Sequence, residues 1–584
     1  MRIVLVNWSR VWDGASYGGG VNGYCQALSL ELASRGHTVA TLCGGVTYER
    51  AGAGVGTPRL VRHPDWLGVR VYEVVNSPVL APSLHQFGRP ELETSCPELE
   101  ELVGRFTEWY APDVVHFHNI EGFSAGCVGA VRRGSPSTRV LYSLHNYHTI
   151  CPQVYLMQGH TRPCRSAEGG SRCEGCIESV DAEGEKLRRA RAEEERAVGT
   201  SGPDGAHPSA AEIQRPKDGR GWLGELRRFI RGDAPGATRA APGEGEPART
   251  SGVTPPTWLE ITCREDAERA VAGAEPETRG QARSLLEKER RAFRACPESE
   301  AWRPLLNVVE AEPAPDASPY GARRAAMIGA LNSADAVLAV SSFVRDKFAS
   351  LGVDRSRLRV MPIGSRITEV VAANPELVFA PPPFATNPGR AVRLVFMGYN
   401  NFYKGLEVLA DALELLTPEV LARFDLSVYA LDGQRSRWRF ERLRPRLAGL
   451  TFGNQYDFAD IPWMLGGKDL GVVPSVWWDN GPQTVFEYFA CSVPVLGAAL
   501  GGIPDFVRDG VNGVLFRGND RYDLARALAG LSRNPLRLDE LRRGVRAPSS
   551  ISEHAGELVA LYERLLSSAS CGMERCEVSG GGAD

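Results

Sequence analysis

Short apolar runs alternate with longer stretches whose apolar residues recur at helical spacing, and the alternation begins at the first residues. Ile3–Val6 is continuously apolar, the pattern of a strand buried on both faces. A glycine-rich turn, Gly18–Gly23, leads into a helix over Val21–Arg35. There Ala27, Leu28, Leu30, Leu32 and Ala33 fall near the helical period, and Gly36 ends it. Thr38–Leu42, Asp113–His116 and Val140–Ser143 are further short strands. Strand and helix in this order predict a parallel sheet with helices on its faces. The pattern returns at Ala336–Val340, where Ser341 or Ser342 caps a helix running to Ser350. Leu358–Met361 and the turn Pro362–Ser365 follow. Val371–Gly389, interrupted by Pro375, Pro381, Pro382, Pro383 and Pro388, reads as a linker. Beyond it Arg393–Met397, Leu426–Tyr429, Leu470–Val473 and Val493–Leu496 are the strands of a second alternating unit. A last helix over His554–Leu566 has Leu558, Leu561, Tyr562 and Leu565 to bury.

These patterns divide the chain. Residues 1–180 and 318–375 form a first α/β domain, residues 390–552 a second, residues 553–568 a closing helix and residues 569–584 a disordered tail. Residues 181–317 are rich in Ala, Gly, Glu, Arg and Pro, and stretches such as 240–247 cannot bury enough apolar surface to order themselves. That segment reads as a long, largely disordered insertion with a few marginal helices. One of them, Trp222–Arg231, sets Trp222, Leu223, Leu226, Phe229 and Ile230 on one face and Arg227, Arg228 and Arg231 around them. This suits peripheral contact with a membrane surface as well as packing on the protein itself.

Composition narrows the picture. At 584 residues there is room for roughly three to four domain-sized units, and 43% hydrophobic residues can fill sizeable cores. A net charge of −4 gives no general field for nucleic acid. No apolar run approaches the roughly 18–20 residues that span a bilayer. The apolar stretch after Met1 is too short for a signal-peptide core. Thirteen cysteines, an odd and mostly scattered set, fit reduced cytosolic thiols. The expected location is cytoplasmic, with peripheral contact at the inner face of the membrane through the basic helix.

Candidate chemistry concentrates in Pro474–Pro494. Two carboxylates, Asp479 and Glu487, stand with seven residues between them across a loop entering a helix. Asn480, Gly481 and Pro482 are start signals, with proline expected in the first turn. The N–H groups of Gln483, Thr484 and Val485 would then face an anion ahead of the helix. An anion site flanked by two hydrogen-bond acceptors suits a nucleotide sugar. Lys404, before Gly405 and six residues past Gly398, is placed at the end of a strand. Gly18–Gly23 fits Gly-x-Gly-x-x-Gly, yet the next strand ends at Thr41–Gly45 without an acid to hold a ribose, which argues against a nicotinamide enzyme. Gly14–Gly18 spells a nucleophile elbow, but Ser16 lies nine residues past Asn7 in a loose loop rather than on a sharp turn. His118 and His145 end two strands where open sheets bind ligands, while His148 has no assignable role. Cys151, Cys164, Cys173 and Cys176 form one cluster, suited either to a structural zinc or to redox or unliganded thiols. The arginines around it are too isolated for a nucleic-acid finger.

The Asp479–Pro494 stretch, with Gly501–Gly513 downstream, resembles the donor site of the family 4 retaining glycosyltransferases over most of residues 1–180 and 318–570. Two departures stand out: Asp479 occupies a position where the family usually has Glu, and Tyr399 follows Gly398 where it usually has Arg. The resemblance implies a GT-B fold, two Rossmann-like α/β domains facing across a cleft, with the last helix crossing back to the first domain. It implies sugar transfer from a nucleoside diphosphate to a glycan, lipid-linked or small-molecule acceptor, with retention and without a catalytic metal. Glu487 would hold the donor ribose, and Asp479 the sugar. Lys404, Gly481 and the amides near Thr484 and Val485 would meet the diphosphate. Gly19 and Gly20 would let the first domain close on it, and His118 and His145 would position donor or acceptor. Some members carry a similar cysteine cluster, which favours a structural staple over the acceptor side. A catalytically weak or inactive sugar-nucleotide binder of the same fold is the alternative, and a retaining phosphorylase and a serine hydrolase are remoter ones.

Overall fold

The computed structural model describes residues 1–13, 19–160, 162–199, 307–399, 402–431, 433–453, 456 and 458–577. They form two α/β lobes, each built on its own twisted sheet. The first sheet has eight strands: β1 (Arg2–Val6), β2 (Thr38–Gly44), β3 (Arg59–Trp66), β4 (Val69–Val75), β5 (Val114–Phe117), β6 (Arg139–Leu144), β7 (Ala336–Ala339) and β8 (Leu358–Val360). Their order is β8-β7-β6-β5-β1-β2-β4-β3, parallel except where β3 pairs antiparallel with β4 at the edge. Central strands are apolar throughout because both faces are covered: Ile3, Val4, Leu5 and Val6 are all at most 1% exposed. The edge strand β3 carries Arg59, Arg62, His63 and Asp65, charges that discourage pairing with another chain.

The second sheet has six parallel strands, β9 (Val392–Tyr399), β10 (Phe424–Leu431), β11 (Gly449–Gly453), β12 (Leu470–Val473), β13 (Val495–Ala498) and β14 (Gly513–Phe516). Their order is β11-β10-β9-β12-β13-β14, which reverses direction beside β9. Open sheets of this kind bind ligands beyond the strand ends at such a reversal.

The helices needed below are α1 (Gly19–Ser34), α2 (Ala182–Gly199), α3 (Pro319–Ser333), α4 (Ser342–Ser350), α5 (Arg366–Ala373), α6 (Leu406–Glu414), α7 (Gln483–Ala490) and α8 (Ile551–Glu577). Ser341 caps α4, its hydroxyl accepting from the Val344 N–H. The closing helix α8 returns to the first lobe. Its Tyr562 hydroxyl lies 2.7 Å from His116 Nδ1, and its His554 Nε2 lies 2.7 Å from the Tyr24 hydroxyl.

Two expectations change. The stretch expected to be a disordered insertion is ordered at both ends. Ala190 of α2 is fully buried, and Arg189 donates to the carbonyls of Gly45 and Ala81 at 3.0 and 2.8 Å. Glu312 pairs with Lys347 at 3.3 Å, and the Asn307 amide exchanges two hydrogen bonds with the Gly501 backbone. Side-chain anchoring of this kind compensates for a composition poor in apolar residues. The basic helix expected at Trp222–Arg231 lies outside the described residues. The last helix also runs on to Glu577, past the boundary at 568. Among the described residues no helix is long and apolar enough to cross a membrane.

Candidate active site

Strand β9 ends at Tyr399, and a short turn, Phe402–Lys404, brings the chain to Gly405 and α6. Gly405 has φ +72°, and a Cβ there would stand 1.8 Å from the Pro474 carbonyl oxygen. Only glycine lets the Lys404 turn lie against the exit of β12. Across that contact the Lys404 ammonium lies 3.0 Å from Asp479 Oδ2, and the Ser475 hydroxyl donates to the same oxygen at 3.2 Å. Asp479 is 4% exposed, fixed because the Gly502 N–H donates to its carbonyl at 2.7 Å. Gly501 makes this approach possible, since a Cβ there would stand 2.1 Å from the same carbonyl oxygen. Two of the expected site residues, distant in sequence, therefore form one ion pair.

Helix α7 begins one residue later than the motif suggests. Pro482 is its cap rather than its first turn, and the Val485 N–H is already donated to the Pro482 carbonyl at 3.0 Å. The forward-facing amides are thus those of Gln483 and Thr484, and Val485 drops out as an anion contact. Gly19 and Gly20 likewise form the first turn of α1, not a loop ahead of it. The Gln483 side chain donates to the Gly20 carbonyl at 2.9 Å, and a Cβ on Gly20 would stand 3.0 Å from it. The positive ends of α1 and α7 therefore meet across the cleft, an arrangement that favours an anion between them. At Gly481 a Cβ would find only ordinary 3.5 Å contacts with Phe506 and Val340, so close packing does not require glycine there.

Glu487 lies one turn along α7. With Tyr24, Arg366, Phe458, Gln483 and Phe486 it lines a small cavity between the lobes, while Lys404 and Asp479 stand outside that lining. Burial raises its carboxyl to about 7, against the opposing pull of the Arg366 and Lys404 charges. Arg366 was not expected. Its only sequence signal is its place directly after the Pro362–Ser365 turn, at the passage between the lobes.

The histidines at the ends of β5 and β6 form a buried group. His118 Nδ1 lies 3.1 Å from His145 Nε2, and the Tyr24 ring packs 4.9 Å from that of His145. Burial, with the neighbouring His554 charge, lowers His145 to about 3. His145 is therefore neutral at physiological pH and acts as a hydrogen-bonding group rather than as an imidazolium acid. His118 is 1% exposed, with its Nδ1 turned to His145. His148 is structural: its Nε2 lies 2.7 Å from Glu93 Oε1, and Arg323 donates to both Glu93 oxygens at 2.8 and 3.0 Å. Burial works against the Glu93 charge, yet Arg323 and His148 hold its carboxyl at about 2.

All four clustered cysteines line one small cavity, together with Glu312, Arg324 and Lys347. The Gly159 N–H donates to Cys176 Sγ at 3.5 Å, and the Gln153 amide at 3.8 Å. The donor set suits zinc, but among the described residues no three His, Cys, Asp or Glu side chains converge closely enough to hold a metal ion. The loop these cysteines anchor reaches across the cleft. Tyr155 stacks on Tyr403 at 4.1 Å, and His160 Nδ1 lies 2.7 Å from the Tyr403 hydroxyl, beside Lys404. The serine of the nucleophile-elbow match lies outside the described residues.

Residues 19–196 match the family described as Glycosyl transferase 4-like domain, and residues 391–534 that described as Glycosyl transferases group 1, one in each lobe. A D-inositol 3-phosphate glycosyltransferase of Thermomonospora curvata is 42% identical over 166 residues, 27% of this chain and 38% of that protein. One of Mycobacterium marinum is 33% identical over 135 residues, 22% of this chain and 28% of that protein. The chain thus matches well under half the length of these relatives. Among solved structures, a sucrose-phosphate synthase from Thermosynechococcus elongatus aligns with a TM-score of 0.49 at 15% identity, covering 97% of this chain and all of that one. The catalytic domain of starch synthase IV from Arabidopsis thaliana aligns with a TM-score of 0.46 at 12% identity, covering 97% and 99%.

Proposed function

We propose, on the premise that this chain is a GT-B glycosyltransferase with a family-4-type domain in its first lobe and a group 1 domain in its second, that it moves a hexose-type sugar from a nucleoside diphosphate to a glycan, lipid-linked or small-molecule acceptor, with retention at the anomeric carbon. The observation that carries this is the Lys404–Asp479 pair, set beside the opposed N-termini of α1 and α7.

In this reading the donor diphosphate lies between the two helix ends and draws the Lys404 ammonium away from Asp479. Asp479 then accepts from sugar hydroxyls, and the Glu487 carboxylate accepts from the ribose. As the bond between C1 and the phosphate oxygen breaks, Lys404 and the amides of Gln483 and Thr484 neutralise the departing charge. The acceptor hydroxyl attacks C1 on the same face, and its proton passes to the leaving phosphate oxygen. Neutral His145 orients donor or acceptor from the opposite lobe. The lobes meet at Gly20–Gln483 and where the Tyr147 hydroxyl donates to the Trp478 carbonyl at 2.8 Å. Entry therefore requires these contacts to part, and reclosure keeps water from the donor.

A thermal-shift screen of UDP, ADP and GDP and their hexose conjugates tests this, because a bound donor raises the melting temperature according to its affinity and concentration. One nucleotide series should stabilise the chain, and the product formed from its sugar should keep the anomeric configuration by NMR. No stabilisation by any series would end the reading. Stabilisation without transfer or slow donor hydrolysis would make the chain a sugar-nucleotide binder instead.

A further inference from the structure

Cys173 and Cys176 close one tight turn. The Cys176 N–H donates to the Cys173 carbonyl at 3.1 Å, and Gly175, with φ +66°, lets the chain double back. The ends of such a turn lie within about 7 Å, Cα to Cα, which is the reach of a disulfide. The pair differs in access, Cys173 being buried and Cys176 half-buried. The Gly159 N–H and the Gln153 amide both donate to Cys176 Sγ, and donors of that kind favour a thiolate. The cavity that the thiols line also holds the buried guanidinium of Arg324. Among the described residues its Nη1 has no hydrogen-bond partner. Glu312 Oε2, 4.0 Å away, is taken up by the Ser166 hydroxyl and the Ala167 N–H at 3.1 Å each. Burial pushes the Cys173 thiol up, and the Arg324 charge is the strongest pull the other way. A buried cation with no acceptor of its own, in a cavity of thiols, is suited to steady a second thiolate.

We propose that Cys173 and Cys176 are a modification site for low-molecular-weight disulfides, a dithiol that exchanges with them, closes into an intrachain disulfide and so loosens the loop beside Lys404. The Cys176 thiolate attacks one sulfur of the incoming disulfide and expels the other half, which takes up a proton. Cys173 gives its proton to solvent, and its thiolate attacks the Cys176 sulfur and expels the second half. The chain's two thiols are oxidised to one sulfur–sulfur bond, and the incoming disulfide is reduced to two thiols. The site has a path to the cleft. The amide held by Cys176 Sγ belongs to Gly159, and the next residue, His160, has its Nδ1 2.7 Å from the Tyr403 hydroxyl. His160 holds φ +59°, a left-handed conformation that its surroundings must maintain. A disulfide sulfur accepts a hydrogen bond less well than a thiolate, so oxidation releases Gly159 and with it the contact to Tyr403. The exchange is independent of the glycosyltransferase reading, and only its consequence for sugar transfer rests on it.

The test is incubation of the reduced full chain with oxidised glutathione, then alkylation of the remaining thiols under denaturing conditions, cleavage after Glu174 and mass spectrometry. Glu174 lies between the two cysteines, so a disulfide joining them holds the two fragments together until it is reduced. The parent should give that linked pair. C173S should stop at the mixed disulfide, with glutathione retained on Cys176 at least about tenfold more than in the parent. C176S should leave Cys173 alkylated. Both cysteines alkylated in the treated parent, a bond to Cys151 or Cys164 instead, or C176S modified as fast as the parent would each overturn the proposal. If the variants fail to fold, the parent alone carries the test through the linked pair and through hydrogen exchange. Oxidation should speed exchange at the Gly159 amide by about tenfold or more, and an unchanged rate there would overturn the loosening of the loop.

Discussion

Replacing Lys404 by Met separates the catalytic demand on this side chain from its structural one. The ammonium is a quarter exposed, whereas the Asp479 side chain is only 6% exposed. Removing the cation strands a buried carboxylate that keeps the Ser475 hydroxyl as its hydrogen-bond donor. The stability cost should be about 1–3 kcal/mol, below the 3–5 typical of a fully buried pair, because the cation is partly solvated. The kinetic cost should be larger: losing one preorganised cation at a leaving diphosphate lowers kcat by about 10²–10³. Initial rates of nucleoside diphosphate release, measured beside urea unfolding, read both numbers. The K404M/D479N double variant then removes the stranded charge and should recover most of the stability while remaining slow. The reasoning fails if K404M keeps kcat within about threefold of the parent, or if rates recover with stability in the double variant.

Glu487 makes the fold pH-dependent. Its folded pKa, about 7, lies above the ordinary 4.5, so the stability it lends is fully present below pH 4.5 and is lost as the pH rises through 7. E487Q should therefore flatten the fall between pH 5 and 7 and be more stable than the parent above pH 7 by about 1–3 kcal/mol, while losing donor affinity; parallel unfolding curves for the two would refute this. R323M leaves Glu93 and His148 buried without their cation, and its unfolding free energy should fall by about 3–5 kcal/mol, partly restored by adding E93Q. A midpoint unchanged in urea would show that the buried network carries little. Because the four thiols lining one cavity do not converge on a metal position, elemental analysis of the purified chain should find no stoichiometric zinc; about one zinc per chain, lost on replacing Cys173 and Cys176 by Ser, would refute that reading.

The fold was legible where burial imposes a local pattern. Ile3–Val6 and Leu470–Val473 read as strands because a central parallel strand has no polar face to show. Val69–Val75 and its edge partner Arg59–Trp66 were missed because charges such as Arg70 and Glu73 interrupt the apolar run, and their pairing is settled across the sheet. The α2 segment looked unable to order itself because Arg189, whose hydrogen bonds to Gly45 and Ala81 anchor it, resembles any surface arginine in a list of residues. The same limit applied to Arg366, whose surroundings are assembled from α1, the Phe458 turn and α7.

The site shows how finely the boundary matters. Lys404, Asp479 and Glu487 could be named in advance because their spacing fixes them relative to a strand end and a helix start, and both survive an error of a residue or two. The amides could not. If Pro482 is the first helical residue, three N–H groups point forward. If it is the cap, the Val485 N–H closes the first turn onto the Pro482 carbonyl and two remain. A single-residue shift thus removes one of the donors that face the diphosphate. A helix end with fewer donors leaves more of an anion's charge to be met by side chains, and Lys404, on the turn after β9, is the cation the sequence places nearest to that role.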